Sequence, residues 1–370
     1  MFRSKYKYFV LIAAFIFCSI SAAISQTPTP KPKADDEIIK VSSRLVVVPV
    51  SVTDASGQAV TGLTSKDFRV SEEGRQQNIE NVGTADTVPL EIALLFDISA
   101  TTSPMFKFQQ ETAAKFLQDV MRPNDRATIY TIGSEPILVH SRDTAESSVA
   151  ALRSIIPSKE STAFFDTVAS AAEYLRKNAP SGTRRVIVVI SDGEDTNSAR
   201  IAKAIQDGYK KVSEKINSID SKTLYNLTVT NRDAASGAER ARVLRSIQNA
   251  DTVFYSINPA GSSYQLNKIS VYGQTNMETF ANETGGTAFL PKFQPIDTKD
   301  GYQNSNNTRK NTEILDHIFL QLANELRSQY LIQYYSESDF PLNKYIKLDV
   351  GLPARSTLRI RARQGYYVKN

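Results

Sequence analysis

Hydrophobic and polar positions follow two rhythms along this chain. Residues 40 to 82 carry short apolar runs separated by turn residues. Arg44 to Thr53 is rich in valine with Pro49 inside it, which predicts an edge strand or a bulge. Asp54-Ala55-Ser56-Gly57 is a turn signal, Asp67 to Ser71 alternates, Glu72-Glu73-Gly74 turns, and Gln77 to Val82 returns. At Leu90 the rhythm changes. Ile92-Ala93-Leu94-Leu95-Phe96 is a continuous apolar run ending in Asp97, as a strand buried on both faces requires. Ser103-Pro104 supplies an N-cap and a first-turn proline. Met105, Phe108, Thr112, Phe116, Leu117 and Val120 then repeat with helical period.

Strand and helix continue to alternate. Thr128 to Ile132, Val186 to Ile190, Val253 to Ile257 and Thr287 to Leu290 read as strands. Helical spacing marks Phe164 to Leu175, Ile201 to Ile216, Met277 to Ala281 and Leu315 to Leu326. Such alternation predicts a doubly wound, mostly parallel α/β sheet. Beyond Tyr330 the pattern returns to strands at Leu331 to Tyr335, Tyr345 to Val350 and Thr357 to Arg363. Each flank is too short to bury a core alone. The expectation is one small β-sandwich built from the N- and C-terminal segments, with the α/β unit inserted between them.

Composition alters this picture at the N-terminus. Arg3, Lys5 and Lys7 precede a nearly continuous apolar stretch from Phe9 to Ile20, and Ser21 to Ser25 offers small residues for cleavage. Residues 1–25 read as an export signal, with an uncleaved anchor as the alternative and the only expected membrane contact. Removing its three basic residues lowers the net charge from +5 to +2, so a nucleic-acid partner is not expected. A proline-spaced tether fills 26–39, followed by a β segment at 40–88, the α/β unit at 89–329 and a second β segment at 330–370. The expected location is secreted, periplasmic or otherwise in the cell envelope.

Candidate chemistry is narrow. The chain has two histidines and one cysteine, Cys18 inside the signal, which excludes a Cys/His zinc site and any intrachain disulfide. Any bound metal is then a hard cation held by oxygen. In an open α/β sheet, ligands bind beyond the carboxyl ends of the strands. Asp97-Ile98-Ser99-Ala100-Thr101 and Ser191-Asp192-Gly193-Glu194-Asp195 follow two of those ends, and Ser161-Thr162 leads into a helix between them.

These residues resemble the von Willebrand factor A-type family, whose metal-ion-dependent adhesion site is written D-x-S-x-S, then T, then D-G. The resemblance implies Mg2+, with Ca2+ or Mn2+ as alternatives, held at Asp97, Ser99, Thr101, Thr162 and Asp192. It implies direct ligation by the hydroxyls, aspartates acting partly through water, and an open position for a partner's carboxylate. Leu63-Thr64-Ser65-Lys66-Asp67-Phe68, Glu72-Glu73-Gly74 and Arg361 to Tyr366 are similar to a secreted bacterial subfamily. Thr101, Ala100 and Ser161 depart from the usual serine and glycines, stiffening the backbone without removing an oxygen.

The expected function is therefore an exported, non-enzymatic interaction module for a protein or other macromolecule presenting an acidic group. One alternative is a structural envelope protein with a vestigial site. Another is a magnesium-dependent phosphatase of the haloacid dehalogenase type, which lacks its general acid because position 99 is serine. His140 and His317 read as surface or capping residues, and Arg359, Arg361 and Arg363 as a solvated strand face. Glu194 and Asp195 read as helix caps. The polar stretches Pro259 to Gln274 and Pro291 to Thr312 read as recognition loops.

Overall fold

A computed structural model describes residues 44–99, 106–213, 220–258, 268–296, 298–336 and 338–369. The signal, the tether, Thr101 and the Ser103-Pro104 cap lie outside the described residues. Among those described, no helix is long and apolar enough to cross a membrane.

The apolar run at residue 90 becomes β5 (Leu90–Asp97), buried along its entire length. It pairs in parallel with β6 (Arg126–Ile132) on one side and β8 (Arg184–Ile190) on the other. β9 (Thr252–Ile257) and β10 (Ala288–Phe289) extend the sheet beyond β8, and β7 (Pro136–Asp143) closes the far edge antiparallel to β6. The order is β10-β9-β8-β5-β6-β7. Side chains alternate across β5. Leu90, Ile92, Leu94 and Phe96 join one core with α1 (Phe106–Val120), α2 (Ala145–Arg153) and α7 (Gly301–Arg327). Ala93 and Leu95 join the other with α3 (Phe164–Asn178), α4 (Ala199–Ser213), α5 (Ser221–Asn249) and α6 (Lys268–Thr284). Helices thus cover both faces, as the parallel strands demand.

The flanks assemble as expected. β1 (Arg44–Thr53), β4 (Ile79–Thr84), β11 (Tyr330–Ser336) and β13 (Arg359–Ala362) form one antiparallel sheet in the order β13-β1-β11-β4. β2 (Arg69–Glu72), β3 (Arg75–Gln77), β12 (Tyr345–Gly351) and β14 (Gly365–Tyr367) form the other, ordered β14-β12-β2-β3. Val46, Val48, Val50, Tyr330 and Ile332 of the first sheet share a core with Val70, Ile346 and Leu348 of the second and with Phe68 just before β2.

Several expectations change. β1 is an inner strand, not an edge. Pairing with β13 begins only at Val50, however, so one side of the ladder is open at Pro49, where a missing N–H costs nothing. Glu72 belongs to a strand and is buried in the sandwich core, accepting hydrogen bonds from the hydroxyls of Tyr334 (2.7 Å), Tyr366 (2.6 Å) and Ser336 (2.8 Å). Of the two expected recognition loops, residues 268–274 lie in α6 and 301–312 in α7, so those parts are helical; 259–267 lie outside the described residues. Arg361 is exposed and Arg363 partly buried, and both make contacts across to the α/β unit. Arg361 reaches Thr287 and Glu325, and Arg363 reaches Asp251 at 3.1 Å and the Val47 carbonyl at 2.9 Å.

Those arginines fasten the sandwich to the α/β unit, and Gln329 completes the joint. Its side-chain oxygen accepts from buried Arg184, while its Nε2 donates to Ser51 (3.1 Å) and Tyr255 (3.3 Å). Gln329→Ala leaves the Arg184 head short of an acceptor. The expected loss is about 2–3 kcal/mol, read as a melting temperature lower by about 5 °C or more.

Candidate metal centre

Strand order reverses around β5, because the chain places β6 on one side of it and β8 on the other. The carboxyl ends of β5 and β8 therefore flank the crevice where such sheets bind ligands. Asp97 ends β5, and Ser191-Asp192 follows β8. A direct bond joins the two ends: the Ser191 hydroxyl donates to Asp97 Oδ2 at 2.6 Å. Asp97 Oδ1 accepts from the Ser99 N–H at 2.9 Å, which bends the chain after the strand. Gly193 N–H donates to the Ser191 oxygen at 2.9 Å, and Glu194 N–H donates to Asp192 Oδ1 at 3.0 Å.

Thr162 is carried to the same edge by backbone bonds. Ala163 N–H donates to the Gly133 carbonyl beyond β6 at 2.7 Å. The Thr162 carbonyl accepts from the N–H groups of Thr196 and Asn197, each at 2.9 Å, and its own N–H donates to the Thr196 hydroxyl at 3.0 Å. Asp97, Ser99, Thr162 and Asp192 are all buried at this edge. Four of the five expected site residues are thus brought to one place; the fifth, Thr101, lies outside the described residues.

Electrostatics at the edge oppose uncompensated negative charge. Burial, reinforced by the charge of Asp192, pushes the Asp97 carboxyl up to about 7, against the hydrogen bonds from Ser191 and Ser99. Burial also raises Glu194, with Asp192 adding to the effect and the Ser270 hydroxyl opposing it. Among the described residues, no three His, Cys, Asp or Glu side chains stand close enough to hold a metal between them. Carboxylates alone do not make a site here. A divalent ion would need the hydroxyl oxygens as well, which suits a hard cation that keeps several waters.

A second acidic cluster is structural. Asp195 Oδ2 accepts from Phe165 N–H at 2.8 Å and the Ser198 hydroxyl at 2.5 Å, and its Oδ1 accepts from Ser198 N–H at 3.0 Å. Asp166 Oδ2 in turn accepts from Ala199 N–H at 2.7 Å. Each carboxylate serves the first turn of a helix, so Asp195 acts as the expected cap while Glu194 instead meets Ser270. Ser191 is visible in the sequence at the strand end, but its bond to Asp97 is not. Sequence reasoning missed Gly273. A Cβ there would lie 2.5 Å from the Asp192 carbonyl, so α6 packs backbone to backbone on the Asp192-Gly193 turn.

With the reversal at β5, the antiparallel β7 and the three motif segments at one edge, the architecture is settled. The fold is a doubly wound, mostly parallel α/β sheet closed by one antiparallel edge strand.

No family model matches the sequence, and no curated protein matches it. Solved structures similar to this chain include an aerotolerance-related membrane protein from Bacteroides fragilis with multiple mutations to serines. It is 16% identical, with 62% of this chain and 99% of that one covered, at a TM-score of 0.34. A point mutant of the PilB minor pilin from Streptococcus sanguinis is 11% identical over 65% and 62% of the two chains, at 0.42. A von Willebrand factor type A protein from Catenulispora acidiphila is 12% identical over 73% of this chain and 50% of its own, at 0.37. All three superpose loosely, and none adds to what strand order and motif placement establish.

His140 stands on β7, 3.3 Å from Asp143, and His317 on α7 beside Pro291.

Proposed function

We propose that this chain is an exported interaction module that holds Mg2+ at Asp97, Ser99, Thr101, Thr162 and Asp192 and binds an acidic group of a macromolecular partner through the ion. The observation that supports this reading most is the buried Asp97–Asp192 pair, whose negative charge is set among hydroxyl groups at the crevice edge. Two buried carboxylates at one place are costly unless a cation joins them. Bound there, Mg2+ would supply a Lewis-acidic position for a carboxylate from outside. Ser99 and Thr162 would offer it neutral oxygens, and Asp97 and Asp192 would orient its waters. The mostly apolar stretch at residues 9–20, preceded by Arg3, Lys5 and Lys7, supports a location outside the cytoplasm.

Calorimetric titration of Mg2+ into the purified chain tests the reading. One saturable site is expected, suppressed by EDTA. Absence of saturable heat with Mg2+, Ca2+ and Mn2+ alike would overturn it and leave an envelope scaffold with a vestigial site.

A further inference from the structure

At the end of the sheet opposite the metal centre, a cleft of about 640 Å³ separates the amino ends of β8 and β9 from the outer face of β1 and β11. The seven residues of β8 span about 20 Å, so the cleft is a separate place from Asp97 and Asp192. Its volume falls within the range of small-molecule sites. One wall is apolar, with Leu45, Val47, Pro49, Val88 and Leu331. Leu45 is 49% exposed, an uncovered apolar side chain on that wall.

The other lining is cationic. Arg44, Arg184, Arg185, Arg363 and Lys369 face it against one carboxylate, Asp251. That carboxylate is already taken by Arg363 at 3.1 Å and Lys369 at 2.5 Å. Arg184 is committed to the Leu326 carbonyl and Gln329. Among the described residues no carboxylate lies within ion-pair distance of Arg44 or Arg185; Arg185 donates to the Ala250 carbonyl at 3.0 Å and feels the charge of Asp251. The Nε–H groups of Arg185 and Arg363 are buried with no acceptor, a costly condition for a guanidinium.

We propose that this cleft binds an amphipathic carboxylate, an aliphatic chain of about ten to twelve carbons lying along Leu45, Val47 and Leu331 with its carboxylate at Arg44 and Arg185. An apolar wall in a cleft lined by more guanidinium groups than carboxylates favours both features together. An inorganic anion leaves the wall wet. A neutral alcohol leaves the arginines unanswered.

Isothermal titration of the full chain with dodecanoate, below its micelle concentration, tests the assignment. Saturable one-to-one binding is expected, with butyrate and dodecanol each weaker by about tenfold or more. Dodecyltrimethylammonium should give no saturable heat. Arg185→Gln and Leu45→Asp should each weaken dodecanoate by about tenfold or more. Leu45 is half exposed, so its replacement tests the wall without emptying a core. Magnesium titration of both variants should be unchanged, which separates this site from the metal centre. Non-saturating dodecanoate heat, or affinities within twofold of the parent in both variants, overturns the proposal. So does equal binding of the ammonium amphiphile. If phosphatidylglycerol vesicles retain the chain equally with and without saturating dodecanoate, and dodecanoate itself gives no site, the cleft is not a carboxylate pocket and the proposal fails.

Discussion

Thr162→Ala is expected to cut magnesium affinity by at least about 10- to 100-fold, the loss already typical of groups that only support a ligand. The substitution deletes one hydroxyl. Thr162 holds its loop through its backbone, by bonds to Thr196, Asn197 and the Thr196 side chain, so the edge keeps its shape. Asp97→Ala should abolish saturable binding altogether, because it removes one of two charges that draw the ion. Its effect on the metal-free fold is expected to be small. The variant loses bonds from Ser191 and Ser99, but it also relieves a buried carboxylate whose ionised form its surroundings oppose. Calorimetry with Mg2+ and melting with and without EDTA check both variants. Parent and variants melting alike in EDTA, with only the parent stabilised by Mg2+, is the expected pattern. Magnesium affinity unchanged in Asp97→Ala would remove the site from this edge.

Gly286→Ala should be the most damaging single methyl in the protein. A Cβ at that position would sit 2.0 Å from the Phe254 carbonyl oxygen, inside the backbone of β9. No rotamer relieves such a contact, so β9 or the end of α6 must move. The expected cost is more than about 3 kcal/mol, with loss of soluble yield. Gly237 provides the contrast. It lies inside α5, and a methyl group added there would meet nothing within 4 Å, so Gly237→Ala should stabilise the protein by about 1 kcal/mol. Parallel thermal melts of the two variants check the pair, and equal melting temperatures would contradict the close approach at Phe254.

Much of the architecture was legible because apolar pattern and burial coincide. Leu90 to Phe96 reads as a strand buried on both faces and is one. The site edge was legible for the same reason, since each motif segment adjoins a recognisable strand or helix. Failures occurred where polar side chains do the packing. The first turns of α7 look like loop sequence, yet Asn311 is fully buried there and exchanges bonds with the backbone of Gln294 at 2.7 and 2.8 Å. Asn307 likewise donates to the Pro295 carbonyl at 2.6 Å. α5 escaped notice because, among its described side chains, the fully buried apolar residues Val243 and Ile247 fall in its C-terminal portion. Arg361 and Arg363 alternate like a solvated strand face, and nothing local reveals that Glu325 and Asp251 lie opposite them.

The joint between β1 and β11 has a mechanical consequence. β11 begins at Tyr330, directly after α7 and Gln329, and runs antiparallel to β1 with Val50 opposite Tyr330 and Arg44 opposite Ser336. The amino ends of the two strands therefore point in opposite directions. Tension applied between the amino end of β1 and the α/β unit pulls the strands lengthwise past one another. The seven facing pairs from Arg44–Ser336 to Val50–Tyr330 are then strained together in shear, instead of opening one by one like a zip. A partner tugging on the crevice edge would meet the resistance of the whole ladder at once.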